Sequence, residues 1–243
     1  MTEKTAIITG GTGALGRVVT DNLSGKNIKV YIPALSMKEF SEVFDRSDKA
    51  DSEEFKLKKI FSFECDVTDE KSVTEFVRNV AVQEKGKIDY LINIAGGIDN
   101  PCMIAELKTD SLLKMMNLNF MSAFYFSREV LKHMTENKFG RIISVGSKSA
   151  TELTPSRFAY SYSKLGVIEL MKTISEEYMQ HNIRCNTIIP GIIDTPANRE
   201  WGTEENIRDW TSPEDIAEII YDLISDKFRS LRGSELKLYN SIK

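Results

Sequence analysis

Two side chains in the stretch FAYSYSKLG, residues 158–166, have the types and spacing for proton chemistry. Tyr160 stands four residues before Lys164, so on a helix the two share a face one turn apart, while Tyr162 is rotated away from both. Carbonyl reduction by hydride transfer needs an acid that gives a proton to the developing alkoxide. A free phenol, with pKa about 10, exchanges poorly at neutral pH. A nearby ammonium favours the phenolate and lowers that pKa, so the pair suits the task with Tyr160 as the acid. Taken alone, the same spacing also describes a surface pair worth about a few tenths of a kcal/mol.

Such a pair needs a fold that holds a coenzyme and a substrate against it. Strand-like and helix-like segments alternate along the whole chain. Short apolar, β-branched runs at 4–9, 28–34, 60–66, 88–96, 140–147, 183–191 and near 234–240 read as strands. Helical patterns at about 14–25, 69–84, 109–136, 156–180 and 213–226 separate them, and the charged stretch 45–59 reads as a solvated helix end and loop. Strands alternating with helices of this length imply parallel crossovers and one doubly wound sheet of about seven strands. Runs such as YLINIA, apolar throughout, fit a sheet covered on both faces. No linker, repeat or low-complexity tract divides the chain, so residues 1–243 are expected to form a single α/β domain of Rossmann type.

The stretch TGGTGALG, residues 9–16, follows the first strand and opens the first helix. In that context glycines imply a phosphate-binding turn: Gly10 for the sharp bend, Gly13 for close approach to a pyrophosphate, Gly16 for helix–strand packing. Thr12 and Leu15 belong to the same loop, whose free N–H groups face the anion. Thirteen residues before Tyr160, Ser147 ends the fifth strand at the carboxyl edge, where open α/β sheets place ligands; Ser144 and Ser149 are its neighbours.

With these motifs the chain resembles the short-chain dehydrogenase/reductase superfamily, and among its compact members the 3-oxoacyl-acyl-carrier-protein reductase type. The resemblance selects Ser147, through the match of GRIISVGS to the family's GxIVNISS, as the group that polarises a substrate carbonyl. It implies that Asn119, in LNFMSAF, interrupts a helix and anchors a water of the proton relay, with Asn117 as its rival. Asp66, in ECDVTD, corresponds to the acid beside the adenine, and Val67 would pack on the base. In NIAGG, Asn93 is implied to join strands while Ala95 and Gly96 keep the floor under the coenzyme low. From IIPGIIDTP, Pro190 and Gly191 would turn the chain, and Ile193 and Thr195 would meet the nicotinamide carboxamide. Lys164 would also reach the nicotinamide ribose. The chain departs from the family with Ala14 at the usual second glycine, with Ile94 in place of an Asn, and with RGSELKLYN in place of a glycine-rich end.

The implied activity is NAD(P)-dependent oxidoreduction between a carbonyl and a secondary alcohol. The alternative is a catalytically silent dinucleotide sensor or structural subunit. Coenzyme choice rests on the end of the second strand, where an acid accepts from the ribose of NAD and a base takes the phosphate of NADP. Here YIPALSMKE places Pro33 and Ala34 at that point; with no acid there, and Ser36 or Lys38 within reach of a phosphate, the sequence leans to NADP over NAD. The segment 197–211, containing both tryptophans, is expected to be a short lid over a small or extended acyl substrate, with sugars, polyols and quinones as other candidates.

Lys and Arg total 32 against 36 acidic residues, a net charge of −4, which argues against nucleic acid or an anionic membrane as partner. Three scattered cysteines suggest reduced thiols, and the N-terminus lacks the pattern of a signal peptide, so a cytoplasmic protein is expected. No apolar run reaches the roughly 18 residues that span a bilayer. His133, His181 and Cys102 lack partners at metal-ligand or nucleophile spacing, so no metal is expected. Met115, Met116, Met121 and Met134 read as core or interface. By resemblance the two long helices pack against other subunits, implying a homotetramer or, failing that, a dimer.

Overall fold

The computed structural model describes residues 3–44 and 59–239. The charged stretch at 45–58 lies outside the described residues. Seven strands form one sheet: β1 (Lys4–Thr9), β2 (Ile28–Ala34), β3 (Ile60–Glu64), β4 (Tyr90–Asn93), β5 (Gly140–Val145), β6 (Ile183–Pro190) and β7 (Glu235–Leu238). Their spatial order is β3-β2-β1-β4-β5-β6-β7 and every pairing is parallel. The chain is a single Rossmann-like domain, as the alternating pattern predicts.

Neighbouring strand residues point to opposite faces, and each face has its own core. Ile8, Ile92 and Ile143 join one apolar cluster with α1 (Ala14–Gly25) and the helix Pro213–Ile224. Ile7, Leu91 and Ile142 join the other, under the helices Glu70–Gln83, Ser122–Asn137 and Phe158–Glu177. All six of these strand residues are fully buried, each worth about 1.5–3 kcal/mol relative to exposure. That is why strands with no polar face are compatible with this sheet.

The order reverses direction between β1 and β4, and crossovers leave to opposite faces there, opening a crevice at the carboxyl edge. The predicted strands 60–66, 88–96 and 140–147 stop earlier than the apolar runs suggest, at Glu64, Asn93 and Val145. Beyond β4 and β5, Ile94, Gly96, Gly146 and Ser147 line the crevice. The predicted helix 109–136 is also interrupted: a helix Thr109–Met115 passes through a π-helical turn, Met116–Met121, before Ser122–Asn137. The turn widens the helix around Asn119.

Candidate active site

The glycine loop joins β1 to α1. Gly10 has φ +67°, and a Cβ there would lie 2.8 Å from the Ala95 nitrogen, so both its conformation and its space require glycine. Gly16 is packed harder still: a Cβ would stand 2.0 Å from the Gly10 carbonyl oxygen. Gly13 differs, with an ordinary φ of −74° and only one near neighbour, the same carbonyl at 3.3 Å. The space in front of Gly13 is not filled by the protein. Helix α1 starts there with no side-chain cap and no acid in its first turn, leaving its N–H groups for an external anion. Leu15 is buried beneath the loop, while the Thr12 hydroxyl donates to Glu39 Oε1 at 2.6 Å.

The loop after β4 is held from both sides. Thr9 Oγ1 accepts from the backbone N–H groups of Ile94 and Ala95, each at 3.1 Å. Asn93 is buried, and its Nδ2 donates to Ser144 on β5 at 3.1 Å and to Ser127 at 3.4 Å, so it joins strands and does not line the cleft. Asn119 pairs with Gly97 as a strand would: Oδ1 accepts from the Gly97 N–H at 2.8 Å and Nδ2 donates to its carbonyl at 3.0 Å. Nδ2 also donates to Ser163 Oγ at 3.0 Å, tying the loop to the helix Phe158–Glu177. Asn117 is exposed on the other side of the π-helical turn. Gly96 lies between: a Cβ would come within 2.6 Å of Asn119 Oδ1 and 3.0 Å of Lys164 Nζ.

Asp66 lies exposed beyond β3, its Oδ1 accepting from the Thr68 N–H at 2.8 Å and the Thr68 hydroxyl at 2.7 Å. The following helix is capped by Asp69, whose carboxylate accepts from the Ser72 N–H at 2.8 Å, so Asp66 is not used as the cap. Val67 is half-buried and packs on the core under the sheet. Pro190 ends β6, and the Gly191 N–H donates to Leu238 on the neighbouring strand at 3.1 Å. Ile193 and Thr195 follow along the cleft wall; the Ile193 carbonyl accepts from Asn198 Nδ2 at 2.8 Å, and Thr195 caps the turn Pro196–Arg199.

These elements enclose a cleft of about 820 Å³ whose lining includes Ser147, Tyr160, Lys164, Gly96, Gly191 and Thr195. Ser147 caps a short helical turn, with its Oγ 3.0 Å from Ser149 Oγ, whereas Ser144 is fully buried against Asn93. Lys164 is 5% exposed and donates to the Val145 carbonyl at 2.9 Å. Burial lowers its pKa to about 8. Burial raises that of Tyr160, opposed by the Ser147 side chain and by the positive charge of Arg157. The Lys164 ammonium is turned to β5, and Arg157, three residues before Tyr160, adds positive charge that favours the phenolate. Arg157 also donates to the Asp99 carbonyl and lines the cleft. Sequence reasoning passed over it, although the i, i+3 spacing to Tyr160 was the available sign. Tyr162 is 52% exposed and stacks on Phe158.

The Lys164 shift has a measurable consequence. Its folded-state pKa, about 8, lies below the unfolded value of 10.5, so between these pH values the unfolded state binds more protons. Wild-type stability relative to Lys164→Met therefore rises from about pH 8 to 10.5 in urea denaturation. A difference that stays flat across that range would contradict the buried ammonium.

A family model of the short chain dehydrogenases matches residues 4–206. The chain belongs to this family. The dehydrogenase is 27% identical over 240 residues to the 3-oxoacyl-[acyl-carrier-protein] reductase FabG of Thermotoga maritima, covering 95% of this chain and 94% of that one. Among solved structures it is similar to ElxO with NADP bound, at 25% identity and TM-score 0.86, covering 98% of this chain and 97% of the other. It shares its fold with an NAD+-bound xylitol dehydrogenase at 22% identity and TM-score 0.86, over 98% of each chain. The dehydrogenase is an NAD(P)-dependent oxidoreductase. Among its described residues, no helix is long and apolar enough to cross a membrane and no cluster of three His, Cys, Asp or Glu side chains forms a metal site.

Proposed function

We propose that the protein reduces the carbonyl of an extended, largely apolar substrate of the 3-oxoacyl thioester type, with Tyr160 as general acid. One observation carries this reading: above Ser147 and Tyr160 the cleft wall exposes Ile98, Leu153, Ile192 and Trp201 at 60%, 95%, 40% and 58%. Such a wall shelters an acyl chain and offers a polyol little to hydrogen-bond. The similarity to FabG of Thermotoga maritima points the same way.

The residues present suit a nicotinamide coenzyme: uncapped N–H groups at α1, open space at Gly13, and Gly96 without a side chain beside Lys164. When bound, that group supplies the hydride. Gly10, Thr12, Gly13, Leu15 and Gly16 form its phosphate cradle, with Asp66 and Val67 at the adenine end. Ala95, Gly96, Pro190, Gly191, Ile193 and Thr195 line the nicotinamide end, and Asn93 holds β4 under it. Ser147 donates to the substrate carbonyl and Tyr160 gives its phenolic proton to the oxygen as negative charge develops there. Lys164, once its ammonium meets a ribose hydroxyl, stabilises the phenolate left behind. Asn119 positions this machinery through Gly97 and Ser163 and by resemblance anchors the relay water. The absence of an acid at Ala34 leans towards NADP; a carboxylate considered below argues for NAD.

Segment 197–211 acts as the lid, with Trp201 over the cleft and Trp210 buried against it, ring centroids 5.1 Å apart. A homotetramer, or else a dimer, is supported by an apolar stripe on the helix Phe158–Glu177, where Phe158, Tyr162 and Leu165 are 48%, 52% and 45% exposed. The free, buried Cys65 and Cys185 suit a cytoplasmic setting.

The test is steady-state oxidation of reduced coenzyme with a medium-chain 3-oxoacyl thioester and with a ketose of similar length. The thioester is expected to show a kcat/KM at least about tenfold higher, the worth of burying roughly two methylenes. Preference for the ketose would refute the acyl assignment.

A further inference from the structure

β2 ends at Ala34, which has no group to accept from a ribose hydroxyl, yet a carboxylate does stand at this edge. It comes from Glu39, in the first turn of the next helix, Met37–Phe44. Its Oε1 accepts from the Thr12 hydroxyl of the glycine loop at 2.6 Å, and its Oε2 accepts from the backbone N–H of Leu35 at 3.0 Å. The Glu39 N–H in turn donates to Ser36 Oγ at 3.2 Å, which fixes the turn that carries it. One carboxylate therefore bridges the ends of β1 and β2, reached from the helix and not from the strand.

That position is where a dinucleotide fold places the acid that accepts from the adenosine ribose. Two of the roughly four lone-pair sites of Glu39 are used, which leaves capacity for a ribose hydroxyl. Among the described residues, no ion pair joins Glu39 to a Lys or Arg side chain. Leu35, the first residue beyond β2, is apolar and 71% exposed, and Gly13 has no side chain. The Lys38 side chain is 85% exposed, with Glu42 at 3.8 Å as its partner.

We propose that Glu39 selects the coenzyme: it accepts from the ribose hydroxyls of NAD(H) and repels the 2′-phosphate of NADP(H), so that this chain prefers NAD(H). The inference rests on the reductase reading above. It reverses the lean to NADP drawn from the strand end, because the acid is supplied five residues later in the sequence.

The test is titration of the full chain with NADH and with NADPH, read by nicotinamide fluorescence, alongside thermal melting. Wild type is expected to bind NADH at least about tenfold more tightly. Glu39→Gln, which keeps the size of the side chain, is expected to bring the two within about threefold, mainly by tightening NADPH. Glu39→Asp keeps the charge and the preference for NADH. A wild type that prefers NADPH, or a Glu39→Gln variant with an unchanged ratio, overturns the inference and leaves the reductase reading standing. Should Glu39→Gln melt below the assay temperature, the wild-type ratio decides. Binding of neither coenzyme by wild type overturns both.

Discussion

Tyr160→Phe is expected to lower turnover by about 10²–10⁴-fold while leaving coenzyme affinity within about twofold. The substitution removes one oxygen and keeps the ring, so the packing of the helix Phe158–Glu177 against the cleft is preserved. What is lost is the proton that neutralises the alkoxide. Burial holds the Tyr160 phenol above its ordinary pKa, so it is protonated at neutral pH, the state that carbonyl reduction requires. In the reverse direction the phenolate is the working form, and alcohol oxidation should therefore rise with pH where reduction does not. Arg157 and Ser147 both favour the phenolate and set how far that rise is displaced. The check is kcat with a saturating carbonyl substrate together with a fluorescence titration of reduced coenzyme. Unchanged turnover would remove Tyr160 from the chemistry, and binding without any turnover in wild type would favour a dinucleotide sensor.

The second large effect is at the glycine loop, where two glycines should separate stability from binding. Gly16→Ala places a methyl 2.0 Å from the Gly10 carbonyl oxygen and 2.7 Å from Gly11 Cα, both backbone atoms of the same tight turn. Helix α1 must shift away from β1, at an expected cost of about 3 kcal/mol or more, and coenzyme binding is lost with the loop. Gly13→Ala meets only a carbonyl at 3.3 Å, in a conformation that alanine adopts without strain. Its stability should change by less than about 1 kcal/mol, yet its coenzyme affinity should fall about tenfold or more, because the methyl enters the space reserved for the pyrophosphate. Urea denaturation and coenzyme titration of both variants provide the measurements. If Gly13→Ala binds as wild type does, the phosphates do not lie on this loop.

The features legible in the sequence are those set by short-range periodicity. β1, α1 and β2 fall at the residues that apolar alternation assigns, because strands buried on both faces and helices with one apolar stripe leave distinct patterns. The phase of Tyr160 against Lys164 follows from helix geometry alone. The resemblance implies Asn119 over Asn117, and in the fold the first lies in a buried brace and the second in solvent.

Other features arise only when distant segments meet. Asn119, in its π-helical turn, pairs with Gly97, 22 residues away. The early end of β4 depends on the crevice, because Ile94 and Ala95 leave the ladder to be held by Thr9, some 85 residues distant. Burial turns Lys164 towards the Val145 carbonyl, and Arg157 adds positive charge that favours the Tyr160 phenolate, neither of which helix phase alone reveals. Glu39 is the sharpest case. Its sequence position is that of an ordinary acid in the first turn of a helix, favoured there by the helix dipole. Only the parallel pairing of β1 with β2 brings the glycine loop within hydrogen-bonding distance of it. Sequence pattern determines which way each side chain faces along its own element; the register between elements determines what it meets, and hydrogen bonds and charge act only over that second, short distance.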